Sequence, residues 1–441
     1  MKALFFLRHY NDIDHITPVV TKWSESGHSA DVVLLGPPKF LADYRIRFLG
    51  TLNHVRVAHL RSVLFPHEFL LWKLQAFLLA KGVRRIFLLG RLAEKLARKY
   101  DAGKRAAIWQ KTARRLLDRA FGNTGEGVVV FDWITKGSPI PIEWVETIIS
   151  MAQERGHGAV SLPHGDSPHA NRLIRHREWV VKPDTLYADA RIFDKLVVPN
   201  ELCATRFRPF LNSQAIAVLG SPRYCDEWLE RLAKLSPVSG HQTRPDTRLK
   251  IVMFLRKSEF TTFWEEVSEI TGLIAALPGV ELIIKPHTRG GWRQSFTRSA
   301  SLRELPNVSV AADNVHSIPL MNWADVIIDL ATSVVFEAIK AKKPVLAADY
   351  LHAGRSAMAH YMPETELKCR DDVYLLINKF LSEGCDNFYV EENRQRFINE
   401  MLHAGGADVL PRYVALLENE TRRAKAGKTG ASGKTTDEQQ G

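Results

Sequence analysis

Short apolar runs alternate with stretches of helical spacing along most of this chain. KALFFL at 2–7 predicts a strand, and the polar turn after it holds His9, Tyr10, Asp12, Asp14 and His15. A helix is predicted over about 18–26, with Gly27 as its C-cap, and DVVLLG begins the next strand. That is a βαβ opening. VVVFDWI at 128–134, AVSLPHGD at 159–166, KLVVPN at 195–200 and AIAVLGSP at 215–222 predict four further strand-loop units. The stretch 228–248 carries Pro, Gly, Ser and charge and reads as helix then linker. A second series follows: LKIVMFLRK at 249–257, a helix around 262–276, VELIIKPH, NVSVAA, a short helix at 318–323, DVIIDL, a helix at 334–341 and PVLAADY. Such alternation predicts an α/β chain with parallel, doubly wound sheets.

At 441 residues the chain exceeds one ordinary core, so two domains are expected. The pattern divides it into 1–227, a linker at 228–248, a second domain at 249–395, a terminal helix at 396–420 and a disordered tail at 421–441. A basic helical insertion at about 65–120 interrupts the first domain. No apolar run approaches a membrane span, and MKALFFL runs into Arg8, His9 and Asp12, so it reads as a first strand. Cys203, Cys225, Cys369 and Cys385 show no zinc spacing and are expected to be reduced thiols in a cytoplasmic protein.

The net charge is +11, and its distribution is uneven. Between Lys73 and Arg119 lie 14 Lys or Arg against Glu94, Asp101 and Asp118, so this segment carries +11 and the remainder is balanced. Leu, Ile, Phe and Trp are interleaved among the bases. A basic amphipathic helix suggests an anionic membrane surface or a polyanion. No helix-turn-helix, RNP or zinc motif accompanies it, so no nucleic acid is expected as a partner.

Polar clusters follow directly on several strand-like runs. Thr332 and Ser333 stand between VIIDL and a short helix, where unpaired N–H groups favour an anion. Lys285-Pro286-His287 and Arg289 follow ELII, and Arg256 and Lys257 follow the run at 249–255. Ligands of open α/β sheets bind outside the carboxyl ends of the strands. These cations and hydroxyls would neutralise a pyrophosphate without a metal, and neither half carries GxGxxG, so no dinucleotide cofactor is expected. Pro163-His164-Gly165-Asp166 follows AVSL. His164 and Asp166 are the first candidates for a general base, with Asp14 and His15 second. Asp12-Ile13-Asp14 also forms a DxD, but the paired α/β layout argues against the fold in which that motif binds a metal.

In these features the chain resembles the GT-B glycosyltransferases: two Rossmann-like domains facing across a cleft, with a C-terminal helix crossing back. Its opening, RHYNDIDHITPVVTKWSESGHSADVVLLG, is similar to their N-terminal pattern of strand, polar loop, helix and second strand. Within that class it looks most like bacterial capsule and cell-surface polysaccharide transferases, including the CDP-glycerol glycerophosphotransferase group. Their His-Gly is matched by His164-Gly165, their Lys-Pro-His-like motif by Lys285-Pro286-His287, and their Ser/Thr turn and later Lys-Pro by Thr332-Ser333 and Lys343-Pro344. Asp166-Ser167-Pro168-His169 departs from the glycerophosphotransferase pattern and favours a sugar donor.

The resemblance implies that the second domain binds the donor nucleotide. Lys285, His287, Thr332 and Ser333 would contact its phosphates, His316 its base or phosphates, and Glu337 a ribose hydroxyl. The expected activity is metal-independent transfer from a CMP-, CDP- or UDP-linked sugar to a glycan or lipid-linked acceptor, in the cytoplasm or on the inner membrane face. Glycerol- or sugar-phosphate transfer is the alternative within transferases. A UDP-N-acetylglucosamine 2-epimerase-like isomerase is the alternative of another class, and a non-catalytic polyanion binder the last.

Overall fold

The computed structural model describes residues 1–79, 102–122, 126–134, 140–165, 174–175, 178–179, 191–236, 241–256, 262–287, 305–312, 315–352 and 356–432. They fall into two compact units, one of Met1–Gly165, Pro183–Trp228 and His403–Gly441, the other of Asp166–Lys182 and Leu229–Leu402.

Unit 1 is built on β1 (Lys2–Leu7), β2 (Ser29–Leu34), β3 (Val55–His59), β4 (Gly127–Asp132) and β5 (Gly158–Leu162). In unit 2 the two-residue strands β6 (Ile174–Arg175) and β7 (Glu178–Trp179) pair antiparallel. β8 (Lys195–Val198) and β9 (Ile216–Val218) complete a parallel unit 1 sheet of order β3-β2-β1-β4-β5-β8-β9. Its central strands are buried on both faces, which is why they read as unbroken apolar runs. Phe6 on β1 stacks on Phe131 of β4 with ring centres 4.2 Å apart, and Trp144 meets Phe6 edge-on. Gly127 starts β4 because a Cβ there would lie 2.4 Å from the Phe121 ring.

Three features differ from the sequence pattern. β3 was not legible, since its exposed Arg56 and half-buried Val57 and Ala58 break the apolar run of a buried strand. The first helix begins eight residues earlier than predicted and spans Tyr10–Glu25. Its start is fixed by Asp12, whose Oδ2 accepts the backbone N–H of His9 at 2.9 Å and of Arg8 at 2.6 Å. The helix Val409–Ser432 also runs past residue 420, where a disordered tail was expected to begin; its Ala, Lys and Arg are good helix formers. It packs on the helix Tyr10–Glu25 and on β5. His28 Nε2 lies 2.8 Å from Glu418, and the Tyr413 hydroxyl donates to Gly220 O at 2.7 Å.

Unit 2 carries β10 (Leu249–Phe254), β11 (Val280–Lys285), β12 (Val308–Val310), β13 (Val326–Asp329) and β14 (Val345–Ala347), all parallel in the order β12-β11-β10-β13-β14. Ile251, Met253, Leu282, Ile284, Val326 and Ile328 form its buried core with the helices Trp264–Ala276 and Arg370–Glu383. In both sheets the strand order reverses beside the first strand, at β1/β4 in unit 1 and at β10/β13 in unit 2. Such switch points open a crevice at the carboxyl ends of the strands, where α/β sheets bind ligands.

Candidate active site

Four side chains meet at the unit 1 switch point. Arg8 follows β1, Asp12 lies in the first turn of the helix after it, Asp132 ends β4, and His164 lies two residues beyond β5. β4 and β5 are in register at Asp132 and Leu162, which brings His164 over the end of β4. His164 Nδ1 lies 2.7 Å from Asp12 Oδ1 and 2.8 Å from Asp132 Oδ2. Arg8 grips Asp132 with both Nε, at 2.6 Å, and Nη2. Arg8, Asp12 and Asp132 are buried, while the His164 side chain keeps 29% of its surface.

The electrostatics follow from this count of charges. Burial alone would lower the His164 pKa, but the hydrogen bonds and charges of Asp12 and Asp132 outweigh it and raise it to about 9. Burial alone would raise Asp132, yet Arg8 and His164 hold it well below the usual carboxylate range. One arginine and an imidazolium balance two carboxylates, so the cluster is neutral when His164 is protonated. Both His164 bonds use Nδ1, and Nε2 has no hydrogen-bond partner among the described residues. When His164 is neutral, Nδ1–H stays on the carboxylates and Nε2 becomes the basic atom.

Asp12, Asp132 and His164 also offer three ligand atoms within 4.8 Å of one another. A divalent ion there would displace the proton from Nδ1 and share Asp132 with Arg8.

The other unit 1 candidates, Asp14 and His15, are held by other partners. Asp14 is paired with Arg45 and, at 3.1 Å, with Arg223. His15 is buried, and desolvation, with Arg223 nearby, drives its pKa down to about 3. It faces the ring of Tyr224 at 6.2 Å. The early helix start sets this placement: helical periodicity sends Asp12 toward the strand ends and His15 into the core. Asp166 lies outside the described residues.

At the unit 2 switch point, Phe254 of β10 is in register with Lys285 on one side and Asp329 on the other. Arg256 follows β10 and is buried; desolvation lowers its pKa to about 10 against the pull of Asp329 and Asp349. Its Nη1 lies 3.3 Å from His352 Nδ1, and His352 Nε2 lies 3.3 Å from Asp349 Oδ1. Lys285 is buried and donates to Ala312 O at 3.3 Å. His287, two residues past β11, is half-buried.

Thr332 and Ser333 part company. The Thr332 N–H donates to both Asp329 carboxylate oxygens at 3.0 Å, and its hydroxyl donates to Oδ1 at 2.5 Å. These donors are spent on the loop, and Ala331 between them takes the left-handed φ of 56°. Burial raises the Asp329 pKa to about 7, against the two Thr332 bonds. Ser333 instead begins a one-turn 3-10 segment ahead of the helix Phe336–Lys340. Five residues carry little macrodipole, so anion binding here would rest on Arg256, Lys285 and Ser333 rather than on the helix. Glu337 is buried in that short helix, not exposed on it. His316 caps the helix Ser317–Trp323, its Nδ1 accepting the Ile318 N–H at 3.3 Å. Arg289 and Lys257 lie outside the described residues.

The residues missed in the sequence are Arg8, Asp132, Asp329, Asp349 and His352. The three acids shared a signal: each stands at the carboxyl end of an apolar run, in VVVFD, VIID and VLAAD. A charge there has little reason to exist unless it is held.

No family model and no curated protein matches this sequence. Solved structures do share its fold. The UDP-GlcNAc 2-epimerase from Neisseria meningitidis bound to UDP-GlcNAc superposes with a TM-score of 0.53 at 10% identity, over 96% of this chain and 100% of that one. A UDP-N-acetylglucosamine 2-epimerase from Listeria monocytogenes gives 0.53 at 9% identity, over 99% and 97%. The glycosyltransferase of kitacinnamycin gives 0.50 at 14% identity, over 95% and 98%. With two parallel Rossmann-like sheets, the chain has the GT-B fold. That fold serves glycosyltransferases and UDP-GlcNAc 2-epimerases alike.

Proposed function

We propose that this protein is a metal-independent glycosyltransferase, moving a sugar from a nucleotide-activated donor to a hydroxyl of a bacterial cell-surface or capsular glycan. The observation that supports this best is His164, anchored through Nδ1 by two buried carboxylates with Nε2 unbonded among the described residues. In the proposed reaction the acceptor hydroxyl gives its proton to Nε2 as its oxygen attacks the anomeric carbon. The bond from that carbon to the nucleoside diphosphate breaks and the diphosphate leaves with the bonding electrons; within unit 2, Arg256, Lys285 and Ser333 are the proposed holders of the nucleotide's phosphates. Asp12 and Asp132 stabilise the imidazolium, the part a carboxylate plays in a Ser-His-Asp triad.

The base of the nucleotide separates the readings. Thermal shifts of the purified chain with CMP, CDP, UDP, GDP, ADP and dTDP, with and without EDTA, test the donor site, since a ligand of the native state raises its stability. A shift with one nucleotide that EDTA leaves unchanged supports the proposal; a uridine shift favours a hexose or hexosamine, a cytidine shift a Kdo-like, sialyl or glycerophosphate donor. A shift that EDTA abolishes overturns the metal-independent reading.

The second reading is 2-epimerisation of UDP-GlcNAc, favoured by the epimerases among the structural neighbours. It needs no acceptor. Conversion of UDP-GlcNAc to its 2-epimer by the protein alone would establish it in place of transfer.

A further inference from the structure

The helix Pro66–Leu79 of unit 1 is apolar on almost every side. Glu68, Trp72, Gln75 and Leu78 are buried beneath it. On the opposite side Leu70 is 67% exposed and Phe77 is 51% exposed, with exposed Lys73 between them. Positions three, four and seven apart share one helix face, so these three form a single stripe. Phe65, 50% exposed, stands at its N-terminal end. A run of large apolar side chains in water marks an interaction surface.

Charge identifies what covers it. The Arg115 guanidinium lies 3.7 Å from the centre of the Phe65 ring, and exposed Lys111 lies 3.4 Å from Glu68. Both come from the helix Ala102–Phe121, which packs on the helix Pro66–Leu79, and both pair with Glu68 there. The sequence from Lys73 to Arg119 carries 14 Lys or Arg against three acids. A second copy of the chain would bring the same positive segment and be repelled. A soluble polyanion would satisfy the charge but leave Leu70 and Phe77 in water. Among the described residues no helix is long and apolar enough to cross a membrane. An apolar stripe flanked by basic groups suits the boundary layer of an anionic bilayer, where acyl chains take the apolar residues and phosphates the cations.

We propose that this face docks the protein on an anionic lipid surface, with Leu70 and Phe77 inserted and Lys73 at the headgroup phosphates. The docking stands apart from the transferase reading, and its test does not measure activity. The full chain is sedimented with phosphatidylcholine vesicles, with and without phosphatidylglycerol, at low and high salt. Binding is expected on the anionic vesicles alone and weakens with salt. The double variant L70S/F77S should lose about tenfold or more in apparent affinity with its melting temperature unchanged, because both side chains are exposed in the wild type. K73E should weaken the preference for anionic lipid. Absence of binding at low salt, or wild-type binding by L70S/F77S, overturns the proposal. So does loss of heparin binding in K73E with no vesicle binding by the wild type, which would assign the face to a soluble polyanion.

Discussion

Nδ1 of His164 lies 2.8 Å from Oδ2 of Asp132, on the carboxylate that Arg8 also holds. Two residues from the strand ends on either side of β4 thus share one buried negative charge, and each depends on it differently. Arg8 needs it to be buried at all, while His164 needs it to stay protonated.

Removing that charge should therefore cost stability first. In Asp132→Asn the buried Arg8 faces a neutral amide, and breaking a buried pair from one side typically costs about 3–5 kcal/mol. Pairing Asp132→Asn with Arg8→Met should recover much of the loss. Urea unfolding of the three variants checks this. A loss under about 1 kcal/mol for Asp132→Asn would show that the pair is not buried as described.

Asp12 separates charge from geometry. In Asp12→Asn the side-chain oxygen can still accept the Arg8 and His9 amides, so the helix start should survive. The His164 pKa should fall from about 9 by a unit or more, since Asp12 supplies the largest raising contribution. NMR titration of the imidazole reads this directly, and an unchanged pKa would remove Asp12 from the cluster.

The same shift fixes a sign for stability. His164 holds its proton more tightly in the folded protein than in the unfolded chain, where its pKa is about 6.5. Its contribution is complete below that value and is lost as pH rises through 9. Relative to His164→Gln, the wild type should lose on the order of 3 kcal/mol of unfolding free energy between pH 6 and 10. Parallel curves for the two proteins would contradict this.

The strand-loop grammar was readable because parallel strands buried on both faces leave continuous apolar runs, as VVVF and ELII do. The strand ends were readable too, and His164, Lys285 and Arg256 all stand there. What could not be read was pairing. Arg8 and Asp132 are 124 residues apart, and only the β1/β4 register brings them together. In the sequence Asp14 and His15 read as the second candidates for the base and Asp12 only as part of a DxD, because all three follow the first strand. The helix start at Tyr10 decides that Asp12 faces His164 and His15 the core.

Thr332 and Ser333 should likewise separate in experiment. Thr332→Val removes a hydroxyl spent on buried Asp329, so it should destabilise the fold by about 1.5–3 kcal/mol. Ser333→Ala and Lys285→Ala should leave stability nearly unchanged or only moderately reduced and weaken nucleotide affinity several-fold. Calorimetric titration with the nucleotide from the thermal-shift panel distinguishes them. Equal affinity in wild type, Ser333→Ala and Lys285→Ala would remove the anion site from the account.

The most direct test is the pH dependence of donor consumption by wild type and His164→Gln. If His164 is the base, wild-type kcat/KM rises about tenfold per pH unit below 9 and levels off above it, following the neutral imidazole. His164→Gln should fall by about 10²–10⁴-fold and lose that rise, with nucleotide binding unchanged. A wild-type rate that declines through pH 9 would make the protonated imidazole the working form. A variant that keeps the full rate and its rise would take His164 out of the chemistry.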